Sequence, residues 1–334
     1  MSVTIKTIAK DLNLAISTVS KALGDSHEIS PETKKRIFEY AKRLDYVPNA
    51  YAGSLKKRKT ANIAIIIPEV ADSFFSLAIN GIESVAQKKG FHVIVYLTHE
   101  DQLKEQSILH QLKNGRVDGL LLSVSSGAFS NDHIKYLLNA KIPVVFFDRS
   151  CDDIDANKVL TNDFESGYLA AELLINKKCK KISFLSLSDD LSIINQRLKG
   201  YKKALVDHKI SIDENLIIHC TNDEISNHAK VSKLFQSADK PDAIIGSVEK
   251  LTMLIYAVCF DLKVSIPRDL KVIGFSSLDI ASFLNPSLTT ITQPAFEIGK
   301  TAATILFQEL EKNSSEPKRT IIIPSKLIER GSTK

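Results

Sequence analysis

Two sets of side chains in this 334-residue chain have the types and spacing to do chemistry. The first lies in residues 1–59, which hold 12 Lys/Arg against 6 Asp/Glu, a net +6. The whole chain carries +5, so residues 60–334 carry −1 and the basic excess is confined to the N-terminal segment. Basic side chains gathered on a small unit neutralise phosphates and release their counterions, which is how a protein holds nucleic acid. The second set follows apolar runs of strand length. Glu69 and Asp72 come after one run, Ser123, Ser125 and Ser126 after another, Asp148 and Arg149 after a third, and Glu249 and Ser276 after two more. Carboxylates, hydroxyls and a guanidinium brought together at strand ends make a polar small-molecule site. Each alone is an ordinary loop residue; the convergence carries the reading.

Neither set contains a catalytic constellation. Gly299-Lys300-Thr301 ends like a phosphate-binding loop, but Pro294 stands where the first glycine belongs, and the segment reads as a helix start. The chain has no Gly-x-Gly-x-x-Gly, Gly-x-Ser-x-Gly or His-Glu-x-x-His, and His99-Glu100 lacks a second histidine four residues after the first. Cys151, Cys179, Cys220 and Cys259 show no Cys-x-x-Cys spacing and read as reduced thiols of a cytoplasmic protein. No cofactor and no metal site are expected. The longest apolar runs, such as 63–68 and 144–147, are too short to cross a bilayer, so no membrane partner is expected. Met1 leads straight into a helical pattern without the charged and apolar regions of a secretory signal.

Three short helices must position the first set. Ile5, Ile8, Ala9 and Leu12 recur at helical spacing; Asn13 breaks the run and Leu14 turns inward. Ile16, Val19, Ala22 and Leu23 make a second, weaker face. A third helix starts at Ser30 as N-cap with Pro31 at its first position, and buries Ile37, Tyr40, Ala41 and Leu44. This pattern reads as a helix-turn-helix unit, whose second helix enters the major groove. The plain alternative is a three-helix cap on an enzyme, and the charge distribution argues against it. Pro48 ends the third helix, and residues 49–55 are barely two turns, too short to be helical alone. Gly53 weakens them by a further ~1 kcal/mol relative to alanine. A simple linker would fit as well, but this one joins a DNA reader to a large domain and presents Leu55 beside four basic residues. A helix that folds only on DNA, with Leu55 as a minor-groove wedge, accounts for those features.

From Ala61 the pattern alternates. Strands are expected over 63–67, 91–97, 119–123 and 144–147, with helices over 74–89, 102–114 and 132–140. The cycle restarts after Lys158 with helices over 164–176, 195–208, 227–236 and 251–262 and strands over 182–187, 216–220, 243–246 and 271–275. A tail of 288–293, a helix over 295–310 and a strand over 320–323 pack onto one of the two. The fold class is therefore α/β, two doubly wound parallel-sheet subdomains preceded by a small all-α helix-turn-helix domain.

Specific motifs add a resemblance. They are Thr18-Val19-Ser20-Lys21, Tyr46-Val47-Pro48-Asn49, Arg197-Leu198-Lys199-Gly200-Tyr201, Pro241-Asp242-Ala243-Ile244, the run 288–294 and the run 323–333. Over essentially its full length the chain resembles the LacI family of bacterial transcription regulators. The resemblance implies a repressor that binds a palindromic operator in double-stranded DNA as a homodimer. It implies a core like a periplasmic sugar-binding protein, controlled by a small-molecule effector such as a sugar or sugar derivative. It divides the chain into a DNA-binding domain (1–46), a hinge (47–60) and a core (61–334). The core splits into an N-subdomain (61–161 and 291–322) and a C-subdomain (162–290 and 323–334).

Carried over by position, Ile16, Ser17 and Lys21 read bases, while Thr18, Ser20, Thr33 and Asn49 contact the backbone. Leu55 intercalates, and Thr4 and Ala52 also lie on the DNA. The chemistry agrees: hydroxyls suit phosphates, Lys21 can reach guanine, and Ile16 can touch a thymine methyl. In the core Asp72, Phe74, Asp148 and Arg197 match effector-contacting positions, and Ser125, Glu249 and Ser276 complete the expected set. Three positions depart from the family pattern. Ala15 replaces a usual serine cap, Val248-Glu249 an Asn-Asp, and Ser276 an acidic contact. The last two change which ligand fits. The rival from another class is an α/β enzyme with an appended DNA-binding head, which would need a nucleophile or cofactor loop in the cleft. A transport binding protein shares the core but not the basic head. Leu55→Ala should weaken operator binding and spare ligand binding; unchanged operator affinity in a fluorescence-anisotropy titration would contradict the wedge.

Overall fold

The N-terminal helices form because each starts on a cap or a proline and turns one narrow apolar stripe inward. The computed structural model describes residues 3–46, 60–113, 115–126, 131–187, 191–236, 240–312 and 317–334. Helix α1 (Ile5–Asp11) begins at Thr4, whose hydroxyl accepts the Thr7 N–H at 3.3 Å while the Thr7 hydroxyl accepts the Thr4 N–H at 3.3 Å. Helix α2 (Ile16–Leu23) begins at Ala15, which offers no side-chain cap. Helix α3 (Pro31–Arg43) has Ser30 as cap and Pro31 in its first turn. Asn13, in the left-handed region at φ +50°, carries the turn between α1 and α2. Ile8, Ala9, Leu12, Val19, Ala22, Ile37 and Ala41 form the buried centre. Ile16 departs from the expected inner face: it is 48% exposed, while Val19 and Ala22 are wholly buried. At about 100° per residue it stands about 90° from the middle of that stripe, so the helix turns it outward.

The chain divides between Thr60 and Ala61 into two units. Residues 47–59, which carry the expected hinge helix with Asn49, Ala52 and Leu55, lie outside the described residues.

The second unit contains two six-stranded sheets. The first half runs β1 (Asn62–Ile67), α4 (Ser73–Ala86), β2 (His92–Leu97), α5 (Gln102–Leu112), β3 (Gly119–Leu122), α6 (Asp132–Asn139), β4 (Val144–Phe147) and β5 (Asn157–Leu160). The second runs α7 (Asp163–Asn176), β6 (Ile182–Ser186), α8 (Ser192–Asp207), β7 (Ile217–His219), α9 (Glu224–Gln236), β8 (Ala243–Gly246), α10 (Glu249–Asp261), β9 (Lys271–Phe275) and β10 (Thr289–Thr292). Helix α11 (Ala295–Lys312) and β11 (Thr320–Ile322) return to the first half, and β12 (Lys326–Ile328) to the second. The strand orders are β11-β5-β4-β3-β1-β2 and β12-β10-β9-β8-β6-β7. Every pairing is parallel except β12 on β10.

Burial on both faces explains why β1 is an uninterrupted apolar run. Ile63, Ile65 and Ile67 pack on the side of α4 and α11, and Ala64 and Ile66 on the side of α5 and α6. Three strands were not expected as such, β5, β12 and β10, the last lying within the expected tail 288–293. β5 is two polar residues followed by two apolar ones and β12 has three residues, too little for a periodic signal. The chain crosses between subdomains at 161–162, 293–294 and after Ile323. Ile291 and Thr292 pair with β12 in the second sheet, and the Ile323 N–H donates to the Leu160 carbonyl at 2.9 Å. The later crossings therefore sit a few residues beyond the expected limits at 290 and 322. The N–H of Ser325 on the third crossing donates to Asn162 Oδ1 on the first at 2.8 Å, which ties two connections together.

Each sheet carries one helix pair in backbone contact. A Cβ on Gly81 of α4 would meet the Phe296 carbonyl of α11 at 2.1 Å, and a Cβ on Gly200 of α8 would meet the Phe164 carbonyl of α7 at 2.0 Å. Only glycine permits that approach. Alanine is the better helix former by ~1 kcal/mol, whereas overpacking a closed contact costs about 1–3 kcal/mol and more against rigid backbone. Gly200→Ala should therefore lower the melting temperature; a rise would show that the helices part easily.

Candidate DNA interface and effector cleft

On α2, Ile16, Ser17, Ser20 and Lys21 are exposed and Thr18 is half-buried. Positions 16, 17, 20 and 21 stand on one face, opposite the buried Val19 and Ala22. A methyl-rich tip, two hydroxyls and an ammonium thus share a solvent-facing strip of the size a major groove admits. Lys21 is held by Glu28 in an ion pair whose partners are both about half exposed. Such a pair contributes about 0–1 kcal/mol, so phosphate or a guanine edge can take the ammonium over. Thr4 and Thr33 lie in the first turns of α1 and α3, in reciprocal contacts with Thr7 and Ser30.

Between the two sheets, at the carboxyl ends of their strands, lies a cavity of about 30 Å³. Six expected effector residues line it: Asp72, Phe74, Asp148, Arg197, Glu249 and Ser276. Asp72 caps α4, its Oδ1 accepting the Phe74 N–H at 2.8 Å. Asp148 follows β4 in the left-handed region, φ +63°, and accepts a hydrogen bond from the Ser123 hydroxyl at 3.3 Å. A non-glycine residue held there is a strained position typical of binding sites. Ser125 is a correction. It does not line this cavity; its hydroxyl donates to Thr98 at 2.7 Å and its N–H to the buried carboxylate of Glu105 at 2.7 Å. Those bonds turn it into the first subdomain, away from the cavity.

Arg197 is fully buried. Its Nε donates to Asp163 Oδ1 at 2.7 Å, its Nη1 to the Ser247 carbonyl at 2.6 Å, and its guanidinium lies 4.2 Å from the Phe275 ring centroid. The third nitrogen, Nη2, is buried without a hydrogen-bond partner among the described residues. That donor, on a side chain that lines the cavity together with Asp72 and Asp148, offers a ligand both something to accept from and something to donate to. Arg149 also lines the cavity and pairs with Glu100 at 2.8 Å.

Asp163, Ser73 and Glu100 were not expected at the site. Asp163 opens α7 directly after a crossing, and Ser73 opens α4 beside the anticipated Asp72. Glu100 is reached only through its pairing with Arg149. A rule that a buried arginine needs an acid would have asked for Asp163, but nothing in spacing points to which acid.

Burial, then the charge of Glu249, pushes the Asp72 carboxyl up to about 7. Burial raises Asp148 to about 6 against the pull of Arg149 and Arg197. A carboxyl raised on folding holds its proton longer in the folded state. Stability is therefore greatest when it is protonated and falls as pH rises from about 4 to about 7. Asp72→Asn keeps an acceptor for the Phe74 N–H and removes the charge. Its melting temperature should fall less than that of the wild type between pH 5 and 8, in a comparison set by that same linkage. Parallel curves would contradict it.

Two family models match the chain: "Bacterial regulatory proteins, lacI family" over residues 4–49 and "Periplasmic binding protein-like domain" over residues 171–333. The ribose operon repressor of Haemophilus influenzae is 30% identical over 98% of both chains. Catabolite control protein A of Priestia megaterium is 28% identical over the full length of both. The lac repressor dimer bound to operator and the anti-inducer ONPF superposes with a TM-score of 0.84 at 20% identity, over 100% of this chain and 99% of that one, a likeness of fold. The outward strip on α2 and the paired α/β subdomains now have their context: the chain belongs to the LacI family of bacterial regulatory proteins, and it is a DNA-binding transcription regulator, not an enzyme.

Proposed function

We propose that the chain is a repressor that acts in the cytoplasm as a homodimer on a pseudo-palindromic operator, with a sugar or sugar derivative in its cleft as the control. The observation that carries the effector reading is the buried Nη2 of Arg197, without a hydrogen-bond partner among the described residues, on a side chain that lines the same cavity as Asp72 and Asp148. A hydroxyl both donates and accepts, so vicinal hydroxyls satisfy guanidinium and carboxylates together. The name of the Haemophilus relative refers to a ribose operon, which is consistent with that chemistry.

An apolar face in the second subdomain supports the dimer. Ile225, Met253, Leu254 and Ala257 line a groove of about 710 Å³ between α9 and α10. Phe260 continues the α10 face and is 85% exposed, as is Phe283. Large exposed aromatics of this kind mark a protein interface. In the proposed mechanism the cleft changes state, the two halves of each core rotate at the dimer interface, and the spacing of the two 47–60 segments follows. That spacing decides whether both can fold into the minor groove.

Selection of duplexes from a random pool by the full-length protein tests the DNA arm. Two half-sites in inverted repeat are expected. Lys21→Ala should weaken binding to the selected site by about 1–3 kcal/mol, roughly 5- to 150-fold, and relax its sequence preference. Recovery of no common sequence would overturn the reading.

A further inference from the structure

A hydrogen-bonded contact joins the two subdomains across the effector cleft, and nothing in the proposed function uses it. Glu249, the first residue of α10, is buried. Its Oε1 accepts the backbone N–H of Ser73 at 3.1 Å, and its Oε2 accepts the Ser73 hydroxyl. The same Oε2 accepts the Ser276 hydroxyl at 2.8 Å, and Ser276 Oγ in turn accepts the Leu278 N–H at 3.1 Å. Ser73 belongs to the first subdomain; Glu249, Ser276 and Leu278 belong to the second.

We propose that Glu249 and Ser73 form a latch that holds the cleft shut with the protein's own groups, so that an effector must displace Ser73 from Glu249 to enter. This rests on the reading of the cleft as the effector site.

The geometry supports it in three ways. Ser73 opens α4, so its N–H is one of the donors that the helix leaves free, aimed here at Oε1 of Glu249. With the latch made, the cavity is about 30 Å³. That is room for about two or three water-sized probes at ~10–15 Å³ each, against the ~300 Å³ and above of sites that enclose small molecules. Closure also brings Glu249 towards Asp72, and its charge helps to raise that carboxyl. Charge on both groups would oppose closing, and the two donors of Ser73 offset it. A hydroxyl-bearing ligand can offer Glu249 the same two donors, which makes Ser73 a stand-in for ligand.

Two full-length variants test this without any ligand. Ser73→Pro removes both donors while respecting the helix, because proline is favoured at the first helical position and Asp72, at φ −72° and ψ 129°, already has the backbone a following proline needs. Glu249→Ala removes the acceptor. With one dye on each subdomain, single-molecule energy transfer reads the ratio of closed to open molecules. The wild type should be mainly closed, and each variant should lower the ratio about 10-fold or more, as expected for losing a hydrogen bond to a charged acceptor. A wild type mainly open, or variants as closed as the wild type, would overturn the latch. Circular dichroism separates an opened cleft from an unfolded chain. If Glu249→Ala unfolds, Ser73→Pro decides; if both unfold, the contact is structural support and the latch is wrong. Operator binding by the wild type is measured alongside, so loss of the latch and loss of the regulator reading are distinct results.

Discussion

A guanidinium cannot be buried unless its charge is answered, and Arg197 heads the large, fully buried side chains among the described residues. Three elements answer it. Asp163 comes from the start of α7, the Ser247 carbonyl from the end of β8, and the Phe275 face from the end of β9, while α8 carries the arginine itself. Removing one partner from such a buried pair typically costs 3–5 kcal/mol. The site's position follows from this constraint. Asp163 stands immediately after the first crossing between subdomains, so the arginine ties the connection to the sheet that it enters. Gly200, one turn along α8, lets the helix lie against α7 closely enough for the pair to form.

The cleft is built around groups that are not at ease. Arg197 keeps one unanswered donor, Asp72 and Asp148 hold their protons far above the usual carboxylate range, and Asp148 sits in left-handed backbone. A cleft lined this way gains from anything that supplies donors and acceptors at once, so ligand and closure compete for the same atoms. A core that can be shut in more than one way can report on a ligand, because the ligand shifts the balance only through what it does differently in the two states.

The sequence made the helix-turn-helix head and the alternation of strands and helices legible because both are local. Period and capping residues lie within a dozen positions of one another. The polar strand ends were legible for the same reason, since Asp72, Asp148, Glu249 and Ser276 each follow an apolar run. What depended on pairing across distance was not. Short β5 and β12 exist through their neighbours, Asp163 reaches Arg197 from 34 residues away, and Ser73 meets Glu249 across 176. Ser125 shows the converse error. A hydroxyl at a strand end reads the same in the sequence whether it faces a cleft or donates inward to Thr98. Ile16 was ambiguous by spacing and clear by exposure.

The proposed mechanism requires that the cleft and the DNA-reading head be energetically coupled. The direct test is a thermal-shift screen of sugars, sugar acids, phosphosugars and nucleobases, followed by operator titration of the full-length protein with and without each compound that binds. Coupling of about 1–3 kcal/mol, a 5- to 150-fold change in operator affinity in either direction, is predicted at saturating ligand. The same operator affinity with the cleft occupied as without would rule that coupling out.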